Sequence, residues 1–150
     1  MFRVFCIFLV LSSVVSTLWA EERALERAFL ELKAGDWEEA LRLAQSDGAV
    51  ARDIIEWHRL RAGQGTAQEA LTFLQRNGDW PGLPYLRKQS EVGLIDADDQ
   101  TILTYFENSA PQTGAGALAY ALALSKHGQG SKAALVAQNA WITLPLTTPQ

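Results

Sequence analysis

The segment "KAGDWEEAL" (residues 33–41) ends one amphipathic helix at a glycine and starts the next at an acidic residue. Related segments are "RAGQGTAQEAL" (61–71) and "KHGQGSKAAL" (126–135), and "QTIL" (100–103) takes the corresponding place between those two. The final leucines of the four segments lie 30, 32 and 32 residues apart along the chain. A period just above 30 residues with two helices per repeat is typical of an α-solenoid.

The pattern predicts an all-α protein, with an α-solenoid or superhelix of about four antiparallel helical hairpins and a TPR-like period of 30–32 residues. An ordinary helical bundle with coincidental spacing is the alternative. Apolar residues recur at helical spacing in most segments, and no segment alternates as a strand would. In the fourth repeat the predicted apolar stripe is Ala134, Ala137, Gln138 and Trp141. The predicted helices are 21–34, 37–46, 49–62, 67–77, 82–94, 99–108, 115–127 and 132–143.

Helix starts are marked by short polar side chains that can accept a hydrogen bond from the first backbone N–H groups. Thr66 precedes "AQEAL" with Glu69 three residues later, which predicts a capping box. The acidic run "DADD" (96–99) could hint at calcium, but it lacks the glycine and closing glutamate of a calcium loop. The other predicted N-caps are Asp36, Asp98 or Asp99, and Ser131.

The stretch "DWPGLPYLRKQSE" (79–91) concentrates two prolines, a glycine and a tryptophan within a few residues. It is predicted to join the second helical hairpin to the third. Pro81 and Pro84 both fit the first turn of a helix, where a missing N–H costs little. Trp80 is expected to cover this joint, with Leu83, Leu86, Ser90 and Leu94 forming the inward stripe that follows.

The first twenty residues have the composition of a secretory signal peptide. Arg3 precedes an apolar run that reaches Ala20, and the next charge is Glu21. The apolar core is shorter than the ~20 residues of a membrane span. We therefore predict cleavage after Ala20 and export of an α-superhelical domain over residues 21–150, with an uncleaved membrane anchor as the alternative. Cleavage would remove Cys6, the only cysteine.

The charge balance argues against several classes of partner. The chain carries a net charge of −4 and has no basic cluster, which argues against nucleic acid as a partner. It has no polybasic helix for binding a membrane surface after signal cleavage. The two histidines, His58 and His127, are far apart in sequence and do not form a metal-binding pattern. No cofactor or metal is therefore expected.

Residues 79–91, together with "AGQGTAQEALTFLQRN" (62–77) and "GALAYALALSKHGQGSKAALVAQNAWITLPL" (116–146), resemble the N-terminal superhelical region of soluble lytic murein transglycosylases. The resemblance runs from about Leu25 to the end of the chain and includes "WHRLRAGQG", which starts at Trp57. It implies a periplasmic enzyme that cleaves peptidoglycan glycan strands between N-acetylmuramic acid and N-acetylglucosamine, leaving a 1,6-anhydro product.

In that family the catalytic glutamate belongs to a C-terminal lysozyme-like domain, and no segment of this chain resembles that domain. The resemblance therefore assigns no catalytic residue here, and residues 21–150 are expected to be a scaffold truncated at its C-terminal end and inactive alone. The closing "LTTPQ" (146–150) has the pattern of another helix start. Further helical repeats are expected to pack against the last hairpin, and peptidoglycan glycan strands would be met through the catalytic domain.

Glycan cleavage requires a carboxylic acid held in a cleft. The glutamates considered for this role are Glu31, Glu56, Glu91 and Glu107. All four have ordinary surface spacing on helices and are expected to be solvated charges. Aromatic residues at helical spacing are usually core residues, but some can stack on sugar rings. The candidate glycan contacts are Trp80, which lies at the joint, and Tyr85.

Two functions remain open at this point. One is the scaffold segment of a periplasmic lytic transglycosylase. The other is a non-enzymatic periplasmic TPR-like adaptor that binds proteins or peptides. The scaffold predicts an exposed apolar surface around residues 141–145, because a terminal hairpin without its neighbour leaves one face uncovered. The adaptor predicts little exposed apolar surface.

Overall fold

The computed structural model describes the backbone of residues 15–145 and the side chains of residues 24–145. Within that part of the chain every regular element is helical, which confirms the all-α prediction. The helices are α1 (Val15–Ala34), α2 (Trp37–Gln45), α3 (Ala49–Arg61), α4 (Ala67–Arg76), α5 (Leu83–Ser90), a 3-10 helix (Glu91–Asp96), α6 (Asp99–Tyr105), α7 (Gly114–Lys126) and α8 (Gly130–Thr143).

The helix bounds agree with the sequence predictions in most places, and two differences are informative. The helix predicted over 82–94 changes from α to 3-10 geometry at Glu91. A Cβ built on Gly93 would lie 2.9 Å from the carbonyl oxygen of Gly65, so this close backbone approach requires a glycine. Glycine is also a poor α-helix former.

The second difference is at the N-terminus. Helix α1 begins at Val15, inside the predicted signal segment 1–20. Residues 1–14 of that segment lie outside the described residues, and cleavage after Ala20 stays a prediction. Within residues 15–145 no helix combines the length and the apolar character that a membrane crossing requires.

Most of the predicted caps are present. The side chain of Asp36 accepts a hydrogen bond from the backbone of Glu39, and Thr66 forms the complete capping box. Asp98 caps α6 by accepting from the backbone N–H of Thr101 at 2.9 Å. The prediction for Ser131 is wrong, because α8 already begins at Gly130 and Gln129 occupies the cap position without a side-chain hydrogen bond.

The chain divides into two compact units, Met1–Glu56 and Trp57–Gln150, with the boundary inside α3. In the first unit α1 packs on α2. Three alanines at this contact have no exposed surface, which lets the two helices approach closely. The buried core of the first unit consists of Ala28, Ala40, Leu43, Ala44, Ala51 and Ile55.

The second unit is built around α4, α6 and α7. Helix α7 packs on α8, on α6 and on the 3-10 helix, and α4 contacts α5 and α6. The predicted inward stripe of the joint is confirmed, since Leu86, Ser90 and Leu94 are buried and Leu83 packs against the core. The largest apolar or aromatic side chains in this core with almost no exposure are Leu60, Phe73, Leu86, Leu94, Tyr105 and Leu124.

Helix α8 packs with a different face from the one predicted. Ala133 and Ala140 are buried and Val136 packs against the core, whereas every member of the predicted stripe from Ala134 to Trp141 is exposed. Alanines occur on both faces of α8, so apolar spacing alone did not distinguish them. Trp141 and Ile142 are consequently 76% and 71% exposed.

Candidate functional site

The joint between α4 and α5 occupies residues 77–82. Pro84 lies in the first turn of α5, as predicted, but the prediction for Pro81 is wrong because the helix starts only at Leu83. Gly82 occupies the N-cap position with a φ of +69°, a left-handed conformation that favours glycine. The chain therefore turns sharply after Pro81, and the Pro81 carbonyl is left outside the helix.

Two tryptophans hold this joint in place. The ring of Trp80 meets Phe73 edge-on at 5.5 Å between centroids and lies 6.4 Å from Trp57. The indole Nε1 of Trp57 donates a hydrogen bond of 3.1 Å to the Pro81 carbonyl. Trp80 thus covers the joint as the sequence predicted. The hydrogen bond of Trp57 connects the joint to α3.

Arg61 lies between two aromatic rings beside the joint. Its guanidinium carbon is 4.2 Å from the centroid of the Trp57 ring and 5.1 Å from that of Tyr85. We call Trp57, Arg61, Trp80 and Tyr85 the arginine–aromatic cluster. It contains both predicted glycan-contact residues, Trp80 and Tyr85. Sequence reasoning missed Arg61, which is distant from Tyr85 along the chain.

The electrostatic environment of this cluster is positive. His58 meets the Trp57 ring edge-on at 4.8 Å between centroids. Burial lowers the pKa of His58, and the positive charge of Arg61 lowers that pKa further. The imidazole is therefore neutral at pH 7, and Arg61 is the cation of the cluster.

The four residues supply binding chemistry rather than bond-breaking chemistry. The guanidinium offers five N–H donors in a planar fork that matches a carboxylate or a phosphate. Tyr85 is 49% exposed, so about half of this aromatic residue is open to solvent. Trp80 is half-buried, so it supports the joint more than it reaches outward.

Glu91 is the principal departure from the sequence predictions for the glutamates. It was expected to be a solvated charge but is only 2% exposed. Its carboxylate accepts hydrogen bonds of 2.8 Å from the backbone N–H groups of Gln112 and Thr113, and another from the Thr113 hydroxyl. Glu91 thus links the 3-10 helix to the start of α7.

The remaining three glutamates differ among themselves. Glu56 is also buried, contrary to the prediction, and one of its carboxylate oxygens lies 3.7 Å from Arg52. Glu31 is half-buried, and Glu107 is exposed as expected. The sequence signal that could have identified Glu91 is its spacing of eight residues from Leu83, which extends the buried face of α5.

The environment of Glu91 is tightly packed. Burial raises the pKa of the Glu91 carboxyl, although its hydrogen bonds from residues 112 and 113 act in the opposite direction. Burial and the charge of Glu91 together raise the pKa of Tyr105, whose hydroxyl donates to the Arg87 carbonyl at 2.7 Å. A Cβ on Gly116 would overlap the Glu91 carboxylate. Because Glu91 is only 2% exposed, a substrate cannot reach its carboxylate. We call Glu91 a clamp because its hydrogen bonds hold the 3-10 helix to the start of α7.

A separate cleft of about 420 Å³ lies beside α8 and is large enough for a small molecule. Its wall includes Phe106, Asn139 and Tyr120, and Lys132 lies over the Tyr120 ring at 5.5 Å. Glu107 is the only carboxylate among the described residues that line it. The cleft therefore does not bring together the two carboxyl groups that glycoside hydrolysis commonly uses.

Metal-ligating side chains do not converge in the described part of the chain. Among those residues no group of three or more His, Cys, Asp or Glu side chains could hold a metal ion. The acidic run 96–99 serves helix α6 instead, since Asp98 caps it and Asp99 accepts a 2.9 Å hydrogen bond from Lys126. This agrees with the interpretation of the run as a helix cap.

In comparisons with known proteins, no family model, no curated protein and no solved structure matches this chain.

Proposed function

We propose that this chain is the N-terminal helical scaffold of a periplasmic lytic transglycosylase that acts in cell-wall turnover. In this proposal a separate catalytic domain cleaves the bond between N-acetylmuramic acid and N-acetylglucosamine to give a 1,6-anhydro product. This chain would position that domain on peptidoglycan and would not cleave glycan itself.

The observation that carries the proposal is the joint at residues 77–82. The sequence resemblance to transglycosylase scaffolds is centred on this stretch, and each of its unusual residues has a structural task. Gly82 makes the turn, Trp80 packs on Phe73, and the Pro81 carbonyl accepts the Trp57 hydrogen bond. The joint is therefore stabilised by specific contacts. Tyr85, in the helix that follows it, is exposed to solvent.

The proposal includes a solenoid arrangement of about four hairpins. Support comes from the close packing of α1 on α2 and of α7 on α8, whose short connections favour antiparallel neighbours. Further support comes from the exposed face of α8, where Leu135, Trp141 and Ile142 are uncovered. Stacked helical units normally bury such a face against the next unit. We infer that a further helical repeat covers it.

A periplasmic TPR-like adaptor that binds proteins or peptides is the second candidate. The same exposed residues of α8, together with Leu118 and Leu122 of α7, favour it, because an uncovered apolar patch commonly marks a protein-binding surface. The adaptor would need no glycan contact at residues 80 and 85. Glycan binding therefore separates the two candidates.

The test is cosedimentation of the purified protein with peptidoglycan sacculi, followed by analysis of the soluble products. We expect the protein to sediment with the sacculi and to release no anhydro-muropeptides. Tyr85→Ala should weaken cosedimentation several-fold, whereas Trp141→Ala removes a more exposed aromatic residue elsewhere and should not.

Two results would count against the scaffold. Release of anhydro products by this chain alone would show that the chain is itself catalytic. A wild-type protein that stays in the supernatant would show that this chain does not bind peptidoglycan, and it would favour the adaptor.

A further inference from the structure

Arg61 differs from Arg59 and Arg42 in lacking a charged partner among residues 24–145. Arg59 pairs with Glu69 at 2.7 Å, and Arg42 pairs with Glu39 on the first unit. Within residues 24–145 Arg61 makes ring contacts only, without a hydrogen bond or an ion pair. Its N–H donors are therefore available to a ligand.

The surroundings hold this cation in a defined orientation. The rings of Trp57 and Tyr85 both contact the guanidinium, and a planar cation stacked on aromatic rings loses little further freedom when it binds. Gly82 leaves space beside it, since a Cβ there would lie 3.3 Å from Nη1 of Arg61. The guanidinium of Arg61 is thus preorganised, and a ligand can approach it from the side of Gly82.

The charge of Arg61 is not neutralised locally. It acts on His58, whose pKa it lowers in addition to the effect of burial. The chain as a whole is acidic, with a net charge of −4, yet none of the carboxylates in residues 24–145 pairs with Arg61. An unneutralised, oriented guanidinium beside an exposed ring favours a ligand that carries an anionic group next to an apolar face.

We propose that Trp57, Arg61 and Tyr85 form a binding site for a carboxylate-bearing saccharide. The guanidinium pairs with the carboxylate, and the exposed Tyr85 ring packs against the C–H face of the sugar. The choice of a saccharide rests on the function proposed above. In peptidoglycan the matching group is the lactyl carboxylate of muramic acid, which is free only where the stem peptide has been removed.

The experiment compares two oligosaccharides of equal length by ligand-observed NMR and calorimetry with the purified protein. One is a peptidoglycan glycan fragment without stem peptides, which carries free carboxylates. The other is a neutral chitin oligosaccharide. We expect at least tenfold tighter binding of the first at low salt, with most of that preference lost at high salt because exposed charge pairs are screened.

Three variants test the assigned residues. Arg61→Gln should abolish the preference, and Arg61→Lys should keep only a small part of it because lysine lacks the planar fork. Arg42→Gln is the matched control, since it removes an exposed arginine that is already paired, and it should bind as the wild type does. Tyr85→Ala, at a half-exposed position, should weaken both saccharides and tests the site even if the Arg61 variants fold poorly.

Equal binding of the two saccharides by the wild type would overturn the inference. So would an unchanged preference in a folded Arg61→Gln protein, or tighter binding of an acidic peptide than of the glycan. If the protein binds sacculi but shows no preference for the carboxylate-bearing saccharide, the inference is wrong and the proposed function still stands. Carboxylate-dependent binding of the fragment without sacculus binding would support the site and contradict the proposed function.

Discussion

Replacement of Glu91 gives the sharpest test of how the second unit is held together. Glu91→Ala leaves the backbone N–H groups of Gln112 and Thr113 without their acceptor in a partly buried region. A buried unsatisfied donor costs about 1–3 kcal/mol. Two such donors together give an expected loss of about 2–6 kcal/mol in the free energy of unfolding. Glu91→Gln keeps the shape and one acceptor oxygen, so its loss should be smaller.

The pH dependence of this effect has a defined sign. Because burial raises the folded-state pKa of Glu91, the folded protein holds the proton more tightly than the unfolded chain does. The stability contributed by this proton is fully present below the ordinary carboxyl pKa and is lost as the pH rises through the raised value. The charged or titratable neighbours that bear on this equilibrium are Lys88, whose positive charge lowers the pKa of Glu91, and Tyr105, whose pKa is raised in part by the charge of Glu91.

The assay is urea unfolding monitored by far-UV circular dichroism, at a series of pH values from acid to neutral. The stability difference between wild type and Glu91→Gln should be largest at the acid end and should shrink as the pH rises. Glu107→Gln, at an exposed position, is the control and should change little. A Glu91→Ala protein as stable as the wild type would refute the assignment of Glu91 as a clamp. A stability difference that grows with pH would refute the sign of the pKa shift.

Three further predictions concern local contacts and can be measured by the same urea unfolding. Gly116→Ala should cost about 1–3 kcal/mol by overpacking against Glu91, and combining it with Glu91→Ala should cost less than the sum of the two. Trp57→Phe should cost about 1 kcal/mol by removing the indole hydrogen bond to the Pro81 carbonyl. A Trp57→Phe protein as stable as the wild type would show that this hydrogen bond does not stabilise the fold. Thr66→Ala should cost about 1 kcal/mol by breaking the capping box of α4, and no change would show that the cap contributes nothing.

The exposed face of α8 shows where local patterns stop being informative. Apolar spacing placed a helix at 132–143, and α8 spans Gly130–Thr143. The same spacing favoured the face containing Trp141, yet α8 packs on α7 through Ala133 and Ala140. Because both faces of α8 carry alanines, the face that becomes buried depends on how α8 packs against α7. That packing cannot be read from the sequence of α8 alone.

The same distinction applies to the candidate sites. Trp80 and Tyr85 were selected from the sequence because they lie at or next to a proline-rich joint. Arg61 was not selected, because its contact with Tyr85 depends on the way α3 and α5 approach each other. Glu91 was assigned to the surface because an isolated glutamate normally is exposed. Its burial depends on two backbone donors about twenty residues further along the chain.

The sequence by itself determined the helices, most of their caps and the sharp joint, because these depend on side chains within a few residues of one another. Helical spacing, a polar residue before the first turn and the conformational limits of proline and glycine all act locally. Only the tertiary structure decided which faces are covered, which glutamate becomes a clamp and which arginine is left between aromatic rings. Those outcomes arise where separate helices meet, and they depend on burial and on partners distant in the chain.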